Sequence, residues 1–283
     1  MGRFVVGDGM QLVILPPSRT LVSNIFRNVE VDRRRHDELL AQMQRVRGRI
    51  YAADGAIRPQ ELTADGRHKV PVDELSWHVL SLDGDGRVCA CLRYLEEKSA
   101  RGFDDLWVRH SALAHSQTLG WKFRRAVEAE MVRARQLQLG FGEVGGWAVA
   151  EERRGTLEPL RIILATYGLL ELLGGCAGIA TATFRHCSAA ILRRIGLASL
   201  LTGGAELPPY YDPRYGCKMQ VLRFDSRFPN PKYRDWVVQL SSLLTTAPVI
   251  CRAAGRERFH EAFSGFRVPT LEPAFHSQLV PIA

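Results

Sequence analysis

Two neighbouring apolar stretches, residues 76–82 and 87–94, are bounded by polar and turn-forming residues, as short buried strands are. Between them lies Asp83-Gly-Asp-Gly86, whose glycines permit the positive φ that a tight hairpin turn requires. The pattern therefore predicts a β-hairpin.

A helical pattern precedes this hairpin. Apolar residues between positions 39 and 46 recur at the spacing of one helix face, which predicts a helix over roughly residues 28–51. Residues 1–26 form a weak apolar lead-in, and residues 52–71 form a polar loop long enough to be functional or mobile.

After the hairpin, helices and strands alternate. Residues 104–138 are mostly helical by pattern, with a break near Gly120. Two strand–helix units follow, comprising the strand 143–149, the helix 160–173, the strand 178–183 and a helix leading to Gly196. A last strand is predicted at 217–224. This alternation favours an α/β layer with partly parallel strands.

The pattern divides the chain into the lead-in (1–26), a central domain (27–226) and a partly helical C-terminal extension (227–283). A proline-containing linker opens the extension, and helices are predicted near 236–244 and 256–263. No chemistry is assigned to this extension.

Composition sets the protein class. The chain has 283 residues, of which 46% are hydrophobic and 24% charged, as in an ordinary globular protein. No apolar run approaches the roughly 20 residues of a membrane span, and the N-terminus lacks the apolar core of a signal peptide, so we expect a cytoplasmic protein. The six cysteines form no CxxC pair, which predicts reduced thiols and no metal site.

The net charge of +8 indicates a negatively charged partner. Nucleic acid, an acidic carrier protein and a phosphorylated cofactor all qualify. The densest basic stretch, residues 33–49, is interpreted as the solvated face of the first helix. Because no nucleic-acid-binding motif accompanies it, nucleic acid is not expected as a partner.

A basic turn joins the strand 143–149 to the next helix. Backbone N–H groups and the positive end of a helix dipole bind phosphate, and such a turn presents both. Arg153 and Arg154 add charge, Gly155 permits close backbone approach, and Thr156 can cap the helix. The alternative interpretation is a plain basic turn before a helix.

The second unit, with Arg185-His-Cys-Ser188 and Arg193-Arg-Ile-Gly-Leu197 after a β-rich run, resembles the closing motif of the GNAT superfamily of N-acetyltransferases. The run from about 76 to 224, about half the chain, is similar to that fold. The resemblance implies an α/β (α+β) fold with a mixed central sheet flanked by helices. It also implies that the central strands splay apart and that the pantetheine arm of the acyl donor lies between them. Residues 153–156, Arg185 and Ser188 would then bind this donor.

Within the superfamily, the chain more closely resembles the acyl-homoserine lactone synthases and the long-chain N-acyl amino acid synthases. The matching features are Arg47-Gly-Arg-Ile-Tyr51, Asp73 before Trp77 and His78, Arg93-Tyr94, and Glu143-Val-Gly-Gly-Trp-Ala-Val149.

The chain also departs from that family's pattern. Gly145-Gly146 replaces the usual Ser-Arg, and the phosphate turn lacks its second glycine. The lactone synthases carry a set of acidic residues near their sulfonium substrate, and of this set only Asp73 and Glu74 are present here. These departures count against a homoserine lactone synthase.

Four residues are given roles in chemistry or acceptor binding. Glu143 is the expected general base, a role worth about 10²–10⁴-fold in rate, although an ion pair with an arginine is equally open. Arg93 is expected to bind an acceptor carboxylate through its planar fork, or else to be a strand-end charge. Asp73 holds the acceptor's ammonium group or caps a turn, and Arg47 completes this substrate set.

The aromatic and thiol candidates are less specific. Trp77 and Trp147 line an acyl tunnel or pack in the core, and His78 is expected to be a core histidine. Cys187 stands at the head of a helix, but no His and acid set of suitable spacing supports a Cys nucleophile, so direct transfer is preferred. A general acid for the leaving thiol is sought among three tyrosines, Tyr210, Tyr211 and Tyr215.

These features predict an N-acyltransferase that moves an acyl group, expected to be long, from an acyl carrier protein or coenzyme A thioester to the amine of an amino acid or similar acceptor. No tightly bound cofactor is expected, and the basic charge favours the acidic carrier protein. The alternatives are an acyl-homoserine lactone synthase and a non-catalytic module of the same fold that binds an acyl ligand or a protein.

Overall fold

The computed structural model describes residues 9–18 and 20–253. The helices are α1 (Arg33–Ala53), α2 (Gly120–Gln136), α3 (Glu158–Leu172), α4 (Ser188–Ile195) and α5 (Arg234–Leu244). The strands are β1 (Gln11–Leu15), β2 (Val29–Val31), β3 (Trp77–Leu82), β4 (Val88–Glu96), β5 (Gly140–Val149), β6 (Cys176–Thr183), β7 (Ala198–Ser199), β8 (Leu201–Thr202), β9 (Ala205–Glu206), β10 (Tyr210–Asp212), β11 (Cys217–Asp225) and β12 (Val249–Cys251).

Ten strands form one mixed sheet in the order β10-β11-β6-β5-β4-β3-β1-β12-β2, with β7 paired to β11. Helices cover both faces. Leu92 of β4 packs in the core cluster that contains α3, whereas the next position, Cys91, packs with α1 on the opposite face. The predicted mixed α/β fold with a central sheet flanked by helices is confirmed.

The predicted hairpin is present. Strands β3 and β4 pair antiparallel from Trp77 and Tyr94 to Leu82 and Val88. The turn between them contains Gly86 at φ +75°, the left-handed conformation that glycine adopts without strain.

The first helix begins later than predicted. Asp32 caps α1 by accepting a hydrogen bond from the Arg35 N–H at 2.9 Å, so the helix starts at Arg33 rather than near residue 28. The preceding residues Val29–Val31 instead pair with β12 as the edge strand of the sheet, and this pairing overrides the helical pattern.

The helical prediction over 104–138 was correct only for its second half. Residues Phe103–Asp105 and Trp107–His110 form single 3₁₀ turns, and the continuous helix starts at Gly120. A Cβ at Gly120 would approach the Ala114 carbonyl oxygen to 2.6 Å, so the glycine lets the preceding loop fold back onto the helix start. This loop is well placed to cover a site on the sheet.

Both flanking segments contribute to the central sheet. β1, which lies in the predicted lead-in, is buried between β3 and β12, and β12 comes from the predicted extension. Helix α5 packs closely on α3, because Gly168 of α3 leaves room for the Ser241 backbone. The division into three domains stays a prediction, and the short helix predicted near 256–263 lies outside the described residues.

The two central parallel strands separate. β5 and β6 pair from Gly140 and Cys176 as far as Val144 and Ala180, and beyond that point β5 pairs only with β4. The β4–β5 register shifts there, and Gly146 adopts φ +64° in the resulting bulge. The splay implied by the family resemblance is therefore present.

Candidate functional site

A cavity of about 770 Å³ opens where β5 and β6 separate. Residues 144–149 form one wall and residues 180–183 the other. The end of α1, the loop at 107–115, the turn at 185–188 and the segment 210–215 surround its opening. Concave, partly apolar cavities of this size hold small ligands.

The cavity divides the twelve residues expected to serve as the base or to bind donor or acceptor into two groups of six. Those that line it are Arg93, Glu143, Trp147, Arg154, Arg185 and Ser188. Those that do not line it are Arg47, Asp73, Trp77, Arg153, Gly155 and Thr156. Membership of a sequence motif therefore did not predict which side chains reach the cavity.

Glu143 stands on β5 and is 7% exposed. Its Oε1 accepts hydrogen bonds from the Trp107 N–H at 2.6 Å and the Val108 N–H at 3.2 Å. Burial raises the pKa of Glu143, although these two N–H groups oppose that effect. The bonds of Glu143 thus go to backbone N–H groups rather than to an arginine, and its raised pKa improves its capacity to accept a proton.

Glu97 is a carboxyl group that the sequence motifs did not single out. It is half-buried and forms a hydrogen bond with Glu143. Burial, followed by the charge of Glu143, raises the pKa of Glu97 to about 7. The signal available in the sequence was the period of two along β4, which places residues 93, 95 and 97 on one face.

Asp73 is the centre of a buried ion cluster behind the cavity wall. Arg47 donates to it at 2.9 and 2.6 Å, and the Gln44 amide donates at 2.9 Å. Burial alone would raise the pKa of Asp73, but the Arg47 guanidinium brings it down to about 2. Because its oxygens are occupied and its side chain is 1% exposed, Asp73 is not placed to hold an acceptor's ammonium group. It holds arginines instead.

Arg93 is the cation of this cluster that faces the cavity. It is 8% exposed, and its Nη1 lies 3.7 Å from the nearer Asp73 oxygen. Among the described residues its guanidinium makes no hydrogen bond, and its Nε is buried without a partner. Burial, followed by the charge of Arg47, lowers the pKa of Arg93 below the usual value of an arginine. A buried cation short of acceptors suits a bound anion.

The two tryptophans differ in position. Trp77 is fully buried and stacks on Phe26 with a centroid separation of 6.2 Å, which places it in the core and not on an acyl tunnel. Trp147 lines the cavity, and Tyr51 donates a hydrogen bond to its carbonyl oxygen at 3.3 Å. His78 is a core histidine whose Nε2 lies 2.8 Å from the Asp73 carbonyl oxygen, and burial lowers its pKa to about 4.

The basic turn before α3 reaches the cavity only through Arg154. This side chain donates to the Asp54 carboxylate at 3.2 Å and to the Val149 carbonyl at 3.4 Å. Thr156 accepts a hydrogen bond from the Glu158 N–H at 3.1 Å, as a capping hydroxyl would. A Cβ at Gly155 would meet nothing within 4 Å, so no close approach requires glycine there.

The turn before α4 carries unusual backbone geometry. His186 and Cys187 have φ of +57° and +60°, a left-handed conformation that costs about 1–3 kcal/mol per non-glycine residue. Arg185 donates to the Asp54 carbonyl and, at 3.2 Å, to the Gly216 carbonyl. Ser188 begins the helix beside Thr183.

Asp54, just after α1, holds this rim together and was missed in the sequence. Its carboxylate contacts Arg154 and, at 3.2 Å, His186 Nε2, and its carbonyl oxygen accepts from Arg185. Nothing in its sequence context distinguishes it from any other loop aspartate.

No family model matches the sequence, and no curated protein matches it. Solved structures do match it. The coenzyme A-dependent acyl-homoserine lactone synthase BjaI superposes with a TM-score of 0.50 and 15% identity, over 86% of this chain and 92% of that one. MesI, another coenzyme A-dependent acyl-homoserine lactone synthase, superposes with a TM-score of 0.50 and 13% identity, over 82% of this chain and 95% of that one. This chain has the GNAT-like acyltransferase fold.

FeeM, an N-acyl amino acid synthase from uncultured soil microbes, matches less closely, with a TM-score of 0.45 and 10% identity over 75% of this chain and 94% of that one. At identities this low, a shared GNAT-like fold does not fix the reaction. The side chains in the cavity have to supply that argument.

The tyrosines of the GNAT-like cavity are not equivalent. Tyr210 and Tyr215 line it, whereas Tyr211 is 63% exposed and does not. Burial raises the pKa of Tyr215, which keeps its phenol protonated and able to donate. The structure therefore brings two of the three candidate acids to the site.

Within residues 9–18 and 20–253, no group of His, Cys, Asp and Glu is arranged to hold a metal ion. Over the same part of the chain, no helix is long and apolar enough to cross a membrane. The six cysteines are free thiols.

Proposed function

We propose that this chain is an N-acyltransferase, which moves an acyl group from a thioester of acyl carrier protein or coenzyme A to the amine of an amino acid or similar acceptor. The observation that carries the proposal is the cavity between the splayed strands β5 and β6, with Glu143 and Arg93 on one wall. A carboxylate and a buried cation whose Nε has no hydrogen-bond partner share one cleft, and together they match the two charged ends of an amino acid.

Transfer proceeds in one displacement. Glu143 takes a proton from the acceptor's ammonium group, and the free amine attacks the thioester carbonyl carbon. The tetrahedral intermediate collapses, which breaks the carbon–sulfur bond. Tyr215 donates its phenolic proton to the thiolate and takes up the second proton of the nitrogen in return, so the phenol is restored. Arg93 binds the acceptor's carboxylate through its planar fork, which orients the amine towards Glu143.

The donor occupies the other side of the cleft. Arg154 and Arg185 supply positive charge at the rim, and Trp147 offers an apolar surface to the acyl group. Arg153, Gly155, Thr156 and Ser188 stay predicted donor contacts. The net charge of +8 favours an acidic carrier protein, whereas the neighbours BjaI and MesI are named as coenzyme A-dependent, so both donors require testing. The cytoplasm is the proposed compartment.

Acyl-homoserine lactone synthesis is the second candidate, because BjaI and MesI have that activity by name. Against it stand the glycines at 145 and 146 and the engagement of Asp73 with Arg47. A non-catalytic acyl-binding module remains the third candidate.

The test is to incubate the protein with octanoyl and palmitoyl thioesters of coenzyme A and of acyl carrier protein, with a mixture of the protein amino acids. Mass spectrometry should detect an N-acyl amino acid and the free thiol. Glu143→Gln should lower kcat by about 10²–10⁴-fold. Glu96→Gln, on the neighbouring strand but outside the cavity, is the matched control and should change little.

Three results would redirect the proposal. Unchanged turnover in Glu143→Gln would remove this residue as the base. Product that forms only with S-adenosylmethionine as the acceptor would establish the lactone synthase. Thioester binding without any product would establish the binding module.

A further inference from the structure

Three charged side chains stand in a row on one face of the β4–β5 pair. Arg93 lies opposite Gly145, and Leu95 lies opposite Glu143, in the antiparallel register. Side chains of directly opposed residues share a face, as do residues two apart on one strand. Arg93, Glu143 and Glu97 therefore occupy this face as diagonal neighbours, from the inside of the cavity towards the end of β4.

The carboxyl groups of Glu143 and Glu97 are close enough to shift each other's pKa. The Glu143 Oε1 is taken by the N–H groups of Trp107 and Val108, while a hydrogen bond joins the Glu143 and Glu97 side chains. The Glu97 N–H donates to the Phe141 carbonyl at 2.9 Å, which continues the β4–β5 pairing and fixes the backbone of Glu97 beside Glu143.

The two carboxyls differ in their access to water. Glu143 lines the cavity and is 7% exposed. Glu97 does not line the cavity and is partly exposed. The pair therefore connects the inside of the cleft with solvent outside it, without passing through the opening that substrates occupy.

Acyl transfer to an ammonium group requires such a connection. The nitrogen arrives with three protons and keeps one in the amide, and the thiolate takes one, so one proton per turnover must leave the site. A buried base that cannot pass this proton on would be protonated after the first turnover while product still fills the cleft.

We propose that Glu97 is a proton relay that acts through Glu143, an inference that rests on the proposed acyl transfer. Glu143 takes the proton from the acceptor nitrogen, Glu97 releases its own proton to water, and the proton on Glu143 then passes along their shared hydrogen bond to Glu97. The pair returns to its starting state with one proton delivered to solvent and no other bond changed.

The charges around the pair are compatible with this cycle. Arg93 faces Glu143 from β4, and Asp105 faces Glu97 from the covering loop. The Trp107 N–H donates to Glu143, and its proximity also lowers the pKa of Glu97. Burial and the charge of Glu143 hold the pKa of Glu97 at about 7, where a carboxyl group both gains and loses protons at neutral pH.

The test compares Glu97→Gln with Glu97→Ala in the acyl-transfer assay, using octanoyl-coenzyme A and the best acceptor found. Glutamine still donates a hydrogen bond to Glu143 but cannot carry a proton. We expect Glu97→Gln to lower kcat by about 10²-fold with KM for the acceptor unchanged, and to remove an ionisation near pH 7 from the kcat profile. Glu96→Gln is the control and should keep the wild-type kcat and the ionisation near pH 7.

A second measurement does not depend on turnover. The pKa of Glu97 is raised from 4.5 to about 7 in the folded protein, so its contribution to stability is full below pH 4.5 and is lost as the pH rises through 7. The midpoint of thermal unfolding should fall over this pH interval in the wild type, and Glu97→Gln should reduce that fall.

The outcomes separate the two claims. An inactive wild type would defeat the proposed function. An active wild type with full activity in Glu97→Gln would defeat the relay alone. If Glu97→Ala loses activity while Glu97→Gln keeps it, Glu97 only positions Glu143, and the relay is again overturned.

Discussion

The β4–β5 wall of the cavity and the rim around Asp54 both carry several charges, but they hold them in different surroundings. On the wall, Arg93 and Glu143 are each less than a tenth exposed, and both stand on paired strands of the sheet. On the rim, Arg154 and His186 are exposed and reach Asp54 from two separate turns. The proposed function assigns proton transfer and carboxylate binding to the wall, and binding of a solvated anionic donor to the rim.

The difference has an energetic reason. Removing one member of a buried ion pair leaves an uncompensated charge and costs about 3–5 kcal/mol, whereas an exposed pair contributes about 0–1 kcal/mol. Substitutions of charged residues in the wall should therefore lower stability as well as affect the proposed reaction, whereas substitutions in the rim should have little effect on folding. Substitutions on the two sides should separate stability from donor binding.

Asp73→Ala gives the largest expected effect. It leaves Arg47 and Arg93 buried with no carboxylate between them, so we expect a loss of about 3–5 kcal/mol in the free energy of unfolding. Urea unfolding followed by circular dichroism measures it. The matched control is Asp65→Ala, because Asp65 also pairs with two arginines, Arg45 and Arg67, but is exposed.

Solvent screens the Asp65 pairs, so the control should unfold close to the wild type. An Asp73→Ala protein that also unfolds at the wild-type urea concentration would contradict the distinction between buried and exposed ion pairs. Loss of expression would agree with it, and Asp73→Asn would then supply a milder variant, because its amide still accepts a hydrogen bond from Arg47.

The sequence predicted the fold better than the site. Apolar runs and turn glycines identified the hairpin and the strand–helix alternation, because these features depend on local burial. The edge strand Val29–Val31 was missed because it is defined by pairing with β12, more than 200 residues away. The motif identified Arg93, which lines the cavity, but the proximity of Glu97 to Glu143 depends on the register between two strands.

The bulge at Gly146 offers a more local test of the wall. Gly146 has φ +64°, and a Cβ there would lie 3.3 Å from the Arg93 Cβ and 3.4 Å from Arg47 Nη1. Gly146→Ala should therefore cost about 1–2 kcal/mol of stability and shift Arg93, which raises KM for the acceptor. Urea unfolding and steady-state kinetics on the same preparation measure the two effects.

Gly145→Ala is the matched control for this bulge. A Cβ at Gly145 would meet only the tip of the Arg93 side chain, at 3.5 Å, and its backbone is not left-handed. Equal losses in the two variants would show that crowding at Arg93, and not the left-handed backbone, governs this part of the wall.

The smallest expected effect is on the rim. Arg154 lines the cavity and Arg153 does not, although both belong to the basic turn predicted to bind the donor. Arg154→Ala should raise KM for an acyl-coenzyme A by up to about 5-fold, which corresponds to the roughly 1 kcal/mol of one exposed ion pair, with kcat and stability unchanged. Arg153→Ala should raise KM less than Arg154→Ala does, because the Arg153 side chain does not line the cavity. Equal increases in both variants would mean that the turn binds the donor as a unit, and that the cavity lining does not mark the donor site.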